Sequence, residues 1–371
     1  MAAAPADAVG VGVIQVAVSS AHVGFYPLPD GRRLHGTPRA YPGRLHRPEE
    51  GSVTHTDAHP VVSTAGSVES GSVPAATWRD VVKAYIALTK PRIVELLLVT
   101  TAPAMFLAAR GVPHLALVFW TLIAGGLAAA SANTFNCVLD RDIDEKMRRT
   151  RRRPMPRHQV SPRAGTIFGI VLGVAATLLF GFFVNWLSAV LALVANAFYV
   201  LVYTMWLKRS MSQNIVWGGI AGCFPPLIGW TAVTNSVALA PFVLFAIVFF
   251  WTPPHTWALA FRYRADYAAA EVPMLPVVMS APRVAKRILI YSILMVATSI
   301  SLWPIADTGW LYPAVAILGG AVFLIEAIGL LRRANAGALD AALKPMRLFH
   351  WSNSYLALIF LAAAIDPLIF H

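Results

Sequence analysis

From residue 93 onward the sequence alternates between apolar runs of about 20 residues and short polar connections. Runs of that length match the hydrocarbon thickness of a bilayer and exceed what a soluble core helix needs. The pattern predicts nine membrane spans, at 93–109, 115–139, 164–184, 186–207, 215–233, 239–261, 288–306, 311–331 and 348–365. Gly and Pro interrupt several of them, as membrane helices tolerate where neighbouring helices satisfy the backbone. The expected fold is therefore all-α and polytopic. Ahead of the first span, Trp78 to Thr89 reads as a short amphipathic approach. Lys90-Pro91-Arg92 then opens the span with proline in the first helical turn, where its missing N–H costs nothing.

Residues 1–77 break this pattern. They hold no apolar run of spanning length and are rich in Ala, Ser, Gly, Pro, His and Arg, a composition that predicts a disordered extension ahead of a transmembrane domain at 78–371. The histidines in it (His22, His35, His46, His55, His59) have no regular metal-binding spacing. The segment also lacks the charged, apolar and cleavage regions of a secretory signal.

Composition sharpens the class. The chain is 57% hydrophobic and only 13% charged, about half the charge of a soluble domain. The net charge of +12 lies beside the apolar runs, which points to lipid headgroups and anionic substrates and away from nucleic acid. Cys137 and Cys223 lie in or beside different spans and read as buried packing residues. The connections alternate in charge. One side of the membrane receives Lys83, Lys90, Arg92, the block at 141–163, Lys208, Arg209, Arg262, Arg264, Arg283, Lys286, Arg287, Arg332, Arg333, Lys344 and Arg347, and the other receives Arg110 and little else. The positive-inside rule puts the N-terminus in the cytoplasm, or on the matrix side, and the C-terminus outside.

Topology does not explain the stretch Asn133 to Arg157, NTFNCVLDRDIDEKMRRTRRRPMPR. Four helical residues turn about 400°, so Asn136, Asp140 and Asp144 share one face while Asp142 points away. Carboxylates stacked on one face repel one another unless a cation joins them. The Asn/Asp/Asp oxygen set suits Mg²⁺, which takes one or two carboxylates and completes its shell with waters and substrate phosphates. The arginines that follow are suited to gripping a diphosphate. A second polar cluster, His255 to Pro276, ends the sixth span, four crossings later and so on the same membrane face. Lys90-Pro91-Arg92 and the short loop with Lys208 and Arg209 converge on that face as well. A metal-bridged diphosphate at a membrane surface with an apolar bundle behind it suggests a polyprenyl diphosphate donor. Its departing diphosphate would be stabilised electrostatically, and its allylic cation by aromatic faces among Tyr199, Tyr203, Trp257 and Tyr263.

The run NCVLDRDID at 136–144, followed by Arg148, Thr150, Arg153 and Pro154, resembles the first Asp-rich motif of the UbiA-type membrane prenyltransferases. Further stretches at 89–101, 148–157, 203–230 and 253–278 most resemble the branch of that family that farnesylates heme, and the likeness covers about 80–365. The resemblance implies a nine-helix bundle opening to the cytoplasmic side. The implied reaction joins farnesyl diphosphate to the 2-vinyl group of heme b with addition of water, giving heme O and diphosphate with Mg²⁺ as cofactor. Asn136, Asp140, Asp144 and Asp266 match the metal and catalytic positions, and Lys90, Arg92, Arg148, Lys208 and Arg209 the diphosphate contacts. Asp266 is the first carboxylate of the second motif. Where quinone-type relatives carry a second carboxylate four residues on, this chain has Ala270, with Glu271 one residue out of phase. His255, in an apolar span near the site, is a candidate heme contact, with His158 and His350 as weaker ones. Glu95 is a further acid near the same end, and Glu326 is expected to pair with a neighbouring helix. The resemblance also implies a bacterial plasma membrane, or a mitochondrial inner membrane in a eukaryote. It gives heme A synthase or cytochrome oxidase assembly proteins as expected partners. Two competing readings are a prenyltransferase acting on an aromatic quinone precursor and a transporter. A transporter places its ionisable residues near the bilayer midplane, and here they cluster at one interface.

Overall fold

The computed structural model describes residues 77–370. The expected extension and its histidines lie outside the described residues, apart from Thr77. That residue belongs to the bundle: its hydroxyl accepts from the Asp80 amide at 3.4 Å, and the Asp80 carboxylate accepts from the Thr77 amide at 3.2 Å. This reciprocal capping box opens α1, Trp78–Thr89. The amphipathic pattern of α1 buries Ala84 and Leu88 beside Cys137, Val138, Met155 and Val160.

Among the described residues the chain is entirely helical. Lys90, in the left-handed conformation (φ 51°), separates α1 from α2, Pro91–Ala109. There follow α3 (Leu115–Leu139), the short α4 (Arg141–Lys146), α5 (Pro162–Phe183), α6 (Trp186–Ser210), α7 (Asn214–Thr234) and α8 (Leu239–Arg262). After the short α9 (Arg264–Ala269) and α10 (Leu275–Val278) come α11 (Ala281–Ala306), α12 (Leu311–Asn335) and α13 (Pro345–Phe370). Eight helices (α3, α5, α6, α7, α8, α11, α12 and α13) are each long and apolar enough to cross a membrane. The segments Trp78–Val94 and Leu97–Ala109, meeting at 44°, make a ninth when taken as one span. The first span expected at 93–109 is thus the second part of a bent pair. The last three helices run beyond their apolar stretches, because hydropathy marks the hydrocarbon boundary and a helix continues past it, with Arg283, Lys286 and Arg287 on the first turns of α11 and Arg332 and Arg333 on the last turn of α12.

Helices α2, α3, α5, α6 and α7 pack as one group, and α8, α11, α12 and α13 as another. They join where α7 meets α8 and where α2 meets α13. Large apolar side chains such as Phe182, Leu318 and Ile325 face outward, the interior is filled by others such as Trp257, Phe323 and Phe360, and glycines permit the closest approaches between helices. Lipid is as apolar as a leucine side chain, so helices in a membrane associate through close packing and polar contacts. The α2–α7 seam depends on Gly229: a Cβ there would lie 2.4 Å from the Thr101 carbonyl oxygen. Backbone cannot move aside as a side chain can. Gly229→Ala should therefore force the two helices apart and cost about 1–3 kcal/mol, read as a lower unfolding temperature of the purified protein in detergent.

Candidate active site

The stripe survives a break in its helix. α3 ends at Leu139 and α4 begins at Arg141, yet Asp140 N donates to Asn136 O at 2.9 Å and Asp144 N to Asp140 O at 2.8 Å. Helical spacing therefore runs through the junction, and the three side chains stay on one buried face. Asn136 is 4% exposed, Asp140 0% and Asp144 2%, while the Asp142 side chain is 58% exposed.

Cations from three separate segments meet the stripe. Lys90 Nζ, at the α1–α2 junction, donates to Asn136 Oδ1 at 2.5 Å. Lys208, near the end of α6, donates to Asp140 Oδ2, which also accepts from Asn136 Nδ2 at 2.7 Å. Arg153, in the loop after α4, grips Asp144 through Nη1 at 3.0 and 2.8 Å to the two oxygens. Burial opposes the charge on Arg153, but the Asp144 carboxylate more than offsets it and raises the arginine's pKa above its ordinary value. Asn133 Nδ2 donates to Thr89 O at 3.0 Å, tying α3 to the same junction.

Two residues expected at the diphosphate have acidic partners. Arg209 forms a two-pronged pair with Asp142 at 2.8 Å on each prong and also donates to Leu139 O. Hydrogen bonds from Arg209 hold the Asp142 carboxyl down at about 2, against the effect of its partial burial. The folded-state pKa is depressed, so the pair's contribution is present above the ordinary carboxylate range and is lost only as pH falls through about 2. Asp142, pointing away from the stripe as the spacing predicts, thus fixes α4 to the end of α6. Arg148 donates to Asp266 at 3.2 Å. With Lys146 and Glu271 at 3.7 Å and Arg149 over the Tyr263 ring at 5.4 Å, this contact clasps the first motif to the second. Arg92 lies exposed on the first turn of α2.

Sequence reasoning passed over four features. The role of Arg153 is the first: the residue is named with the first motif but given no partner, within a run of arginines that the positive-inside rule explains without function. A π-helical run, Phe198–Leu207, interrupts α6. Such segments are rare and concentrate at functional sites. Here it lets the Thr204 hydroxyl donate to Tyr199 O, five residues back, at 2.9 Å while accepting from Asn136 Nδ2 at 3.1 Å. Tyr203 lies against Gly218, where a Cβ would be 2.0 Å from its ring. Buried Asn214, at the start of α7, is the third; neither amide atom of its side chain has a hydrogen-bond partner among the described residues. The fourth is an apolar cavity of about 210 Å³ between α2, α3, α6 and α7. Asn133 and Tyr199 line its wall beside the stripe, and Gly125, Gly222 and Ile228 lie among its lining farther along those helices.

The remaining candidates are placed as follows. His255 is sandwiched between Trp251 and Phe349, at 4.1 and 4.4 Å between ring centres, and its Nδ1 lies 2.9 Å from Ser352 Oγ. His350 meets Phe349 edge-on. His158 occupies a left-handed turn beside Arg141 and Asp142. Tyr199 and Tyr203 are neighbours at 5.3 Å, and Trp257 is fully buried against the edge of Tyr291. Glu326 accepts from Arg347 at 2.5 Å, joining α12 to α13 as expected of a membrane-embedded acid. The side chain of Glu95 lies outside the described residues.

Among the described residues no group of three or more His, Cys, Asp or Glu side chains is arranged to hold a metal. The site nevertheless suits an ion that relies on few protein carboxylates. Asp140 Oδ1 is buried without a hydrogen-bond partner, and its recorded ion-pair partner, Arg209 Nη2, is 3.8 Å away. Asn136 adds a neutral oxygen beside it. One carboxylate and one amide, with substrate phosphates and waters, make a set that Mg²⁺ accepts.

The UbiA prenyltransferase family model matches residues 97–353. A protoheme IX farnesyltransferase from Cutibacterium acnes is 66% identical over 308 residues, covering 83% of this chain and 91% of that protein. One from a Nocardioides species is 58% identical over 309 residues, covering 83% and 98%. Among solved structures, a digeranylgeranylglyceryl phosphate synthase superposes with a TM-score of 0.65 at 14% identity, covering 78% of this chain and all of that one. A UbiA homologue from Archaeoglobus fulgidus bound to DMAPP and Mg²⁺ superposes with a TM-score of 0.57 at 17% identity, covering 76% and 99%. At those identities the structures speak for the fold, while the family model and the relatives carry membership: this chain belongs to the UbiA prenyltransferase family.

Proposed function

We propose that this chain transfers the farnesyl group of farnesyl diphosphate to the 2-vinyl group of heme b, with addition of water, giving heme O and diphosphate. The observation that carries the donor half is the junction of the buried polar stripe with the apolar cavity at Asn133 and Tyr199. An amphiphile with a diphosphate head and an isoprenoid tail fits that junction. The acceptor half rests on the relatives named for it. In this reading the chain is a multi-pass protein of a bacterial plasma membrane, with the stripe at the cytoplasmic end.

The residues divide the work. Lys90, Lys208 and Arg153 supply charge to the diphosphate from three sides. Asn136 and Asp140 would hold the Mg²⁺ ion, which when bound would supply Lewis-acid stabilisation to the departing diphosphate. Asp144 and Asp266 set the positions of Arg153 and Arg148, and Arg209 acts through its grip on Asp142 and the end of α3. Tyr199 and Tyr203 offer ring faces to the allylic cation, and burial keeps water from capturing it before the vinyl group does. Both faces of the His255 ring are covered and its Nδ1 is engaged. Any contact it makes with heme therefore runs through the Nε2 edge.

Membranes carrying the chain, incubated with heme b, farnesyl diphosphate and Mg²⁺, should yield heme O on pigment extraction. An unchanged heme profile, with a prenylated hydroxybenzoate formed in a parallel incubation, would reassign the acceptor to a quinone precursor. Asp140→Ala should lower turnover by at least about a hundredfold, whereas Asp142→Ala removes an exposed pair worth less than about 1 kcal/mol and should cost less than tenfold. Equal losses at the two positions would sink the division of the stripe into a buried face and an exposed one. Gly222 lines the cavity with open space beside it, nothing lying within 4 Å of a Cβ built there. Gly222→Phe should fill that space and raise the KM for farnesyl diphosphate by about tenfold or more, leaving a short prenyl diphosphate little affected.

A further inference from the structure

The buried stripe is over-neutralised. Two carboxylates, Asp140 and Asp144, meet three cations, Lys90, Lys208 and Arg153. The other two clasps, Arg209 with Asp142 and Arg148 with Asp266, are each balanced. The cluster therefore carries one surplus positive charge, and both of its ammonium groups sit on the two side chains that would hold a metal ion, leaving only Asp140 Oδ1 uncovered. Lys90 Nζ is on Asn136 Oδ1 and Lys208 Nζ is on Asp140 Oδ2. The Lys208 side chain is 15% exposed and that of Asp140 0%, so solvent and salt screen these charges poorly.

We propose that Lys90 and Lys208 are internal competitors for the cation site, so that a divalent ion enters only together with a diphosphate. The proposal rests on the farnesyl diphosphate reading above and adds an order to it. A divalent ion alone would raise the surplus from one charge to three in a poorly solvated pocket. A prenyl diphosphate carries about three negative charges at neutral pH, so ion and diphosphate together bring the cluster near neutrality. The two lysines then have phosphate oxygens to turn to when they leave Asn136 and Asp140. One pair of side chains thus closes the metal site at rest and binds the substrate head in the complex. Coupling of this kind is reciprocal: whatever diphosphate adds to metal affinity, metal adds to diphosphate affinity.

The test is Mn²⁺ retained with the purified full-length protein in detergent by equilibrium dialysis, with and without inorganic pyrophosphate, each read against a protein-free control that accounts for chelation by pyrophosphate in solution. Wild type should bind Mn²⁺ weakly alone and at least about tenfold more tightly with pyrophosphate. Lys208→Met should tighten the pyrophosphate-free affinity by about tenfold and shrink the coupling, and Lys90→Met should shift it the same way. Lys208→Arg keeps the charge and should stay weak. An unchanged or weaker pyrophosphate-free affinity in both methionine variants overturns the proposal, as does tightening in Lys208→Arg equal to that in Lys208→Met. Asp140→Asn should lose binding in every condition. Wild type that binds no Mn²⁺ even with pyrophosphate overturns the metal-dependent reading itself, whereas tight binding without pyrophosphate overturns only the lysine competition.

Discussion

Everything at the functional end of this bundle depends on burying Asp140 and Asp144 at the edge of a membrane. Removing a carboxylate from water costs several kcal/mol even after relaxation, and α3 offers only the Asn136 amide and no cation to offset that cost. Lys90 comes from the α1–α2 junction, Lys208 from the end of α6 and Arg153 from the loop beyond α4. The acids thus compel three distant segments to converge, and the convergence is the site. Removing any one of these cations would leave a buried charge short of its partner, so folding and function lean on the same contacts.

The second dependency is geometric. Asn136 can receive Lys90 on its oxygen only if its amide nitrogen is satisfied elsewhere, and it finds Asp140 and Thr204. Thr204 is in place because α6 widens to π-helical spacing just there. Gly218 on α7 leaves room for the ring of Tyr203 that the widened helix pushes outward. A local irregularity in one helix and a missing side chain on the next therefore set the orientation of an amide on a third.

Much of this was legible in the sequence, for identifiable reasons. Span number and approximate ends followed from run length, because the bilayer fixes how much apolar chain a crossing needs. The stripe followed from helical periodicity, and it held across the α3–α4 break because the i to i+4 hydrogen bonds continue through Asp140. Convergence on one face followed from counting crossings. Which cation would meet which acid was not legible: Arg209 goes to Asp142, and Arg153 takes Asp144 from within an arginine run that lacks a distinguishing period. Those pairings depend on side-chain reach in three dimensions. Neither the π-helical run, with an ordinary apolar sequence, nor the cavity, formed by the absence of side chains, leaves a one-dimensional signature.

The two kinds of positive charge in this chain have different physical roles. The exposed lysines and arginines satisfy the positive-inside pattern, and their exact partners matter little because water solvates them. Lys90, Lys208 and Arg153 contribute to the same pattern, but their partners are buried and their positions are fixed to within a hydrogen bond. Topology alone would be served as well by any arrangement of the same charges. Burial is what separates charge that orients a membrane protein from charge held in a defined pair, and under the proposed function only the second kind meets the diphosphate. On that ground the boundary between exposed charge and buried, paired charge runs through the arginine block itself, with Arg153 on one side of it and Arg151 on the other.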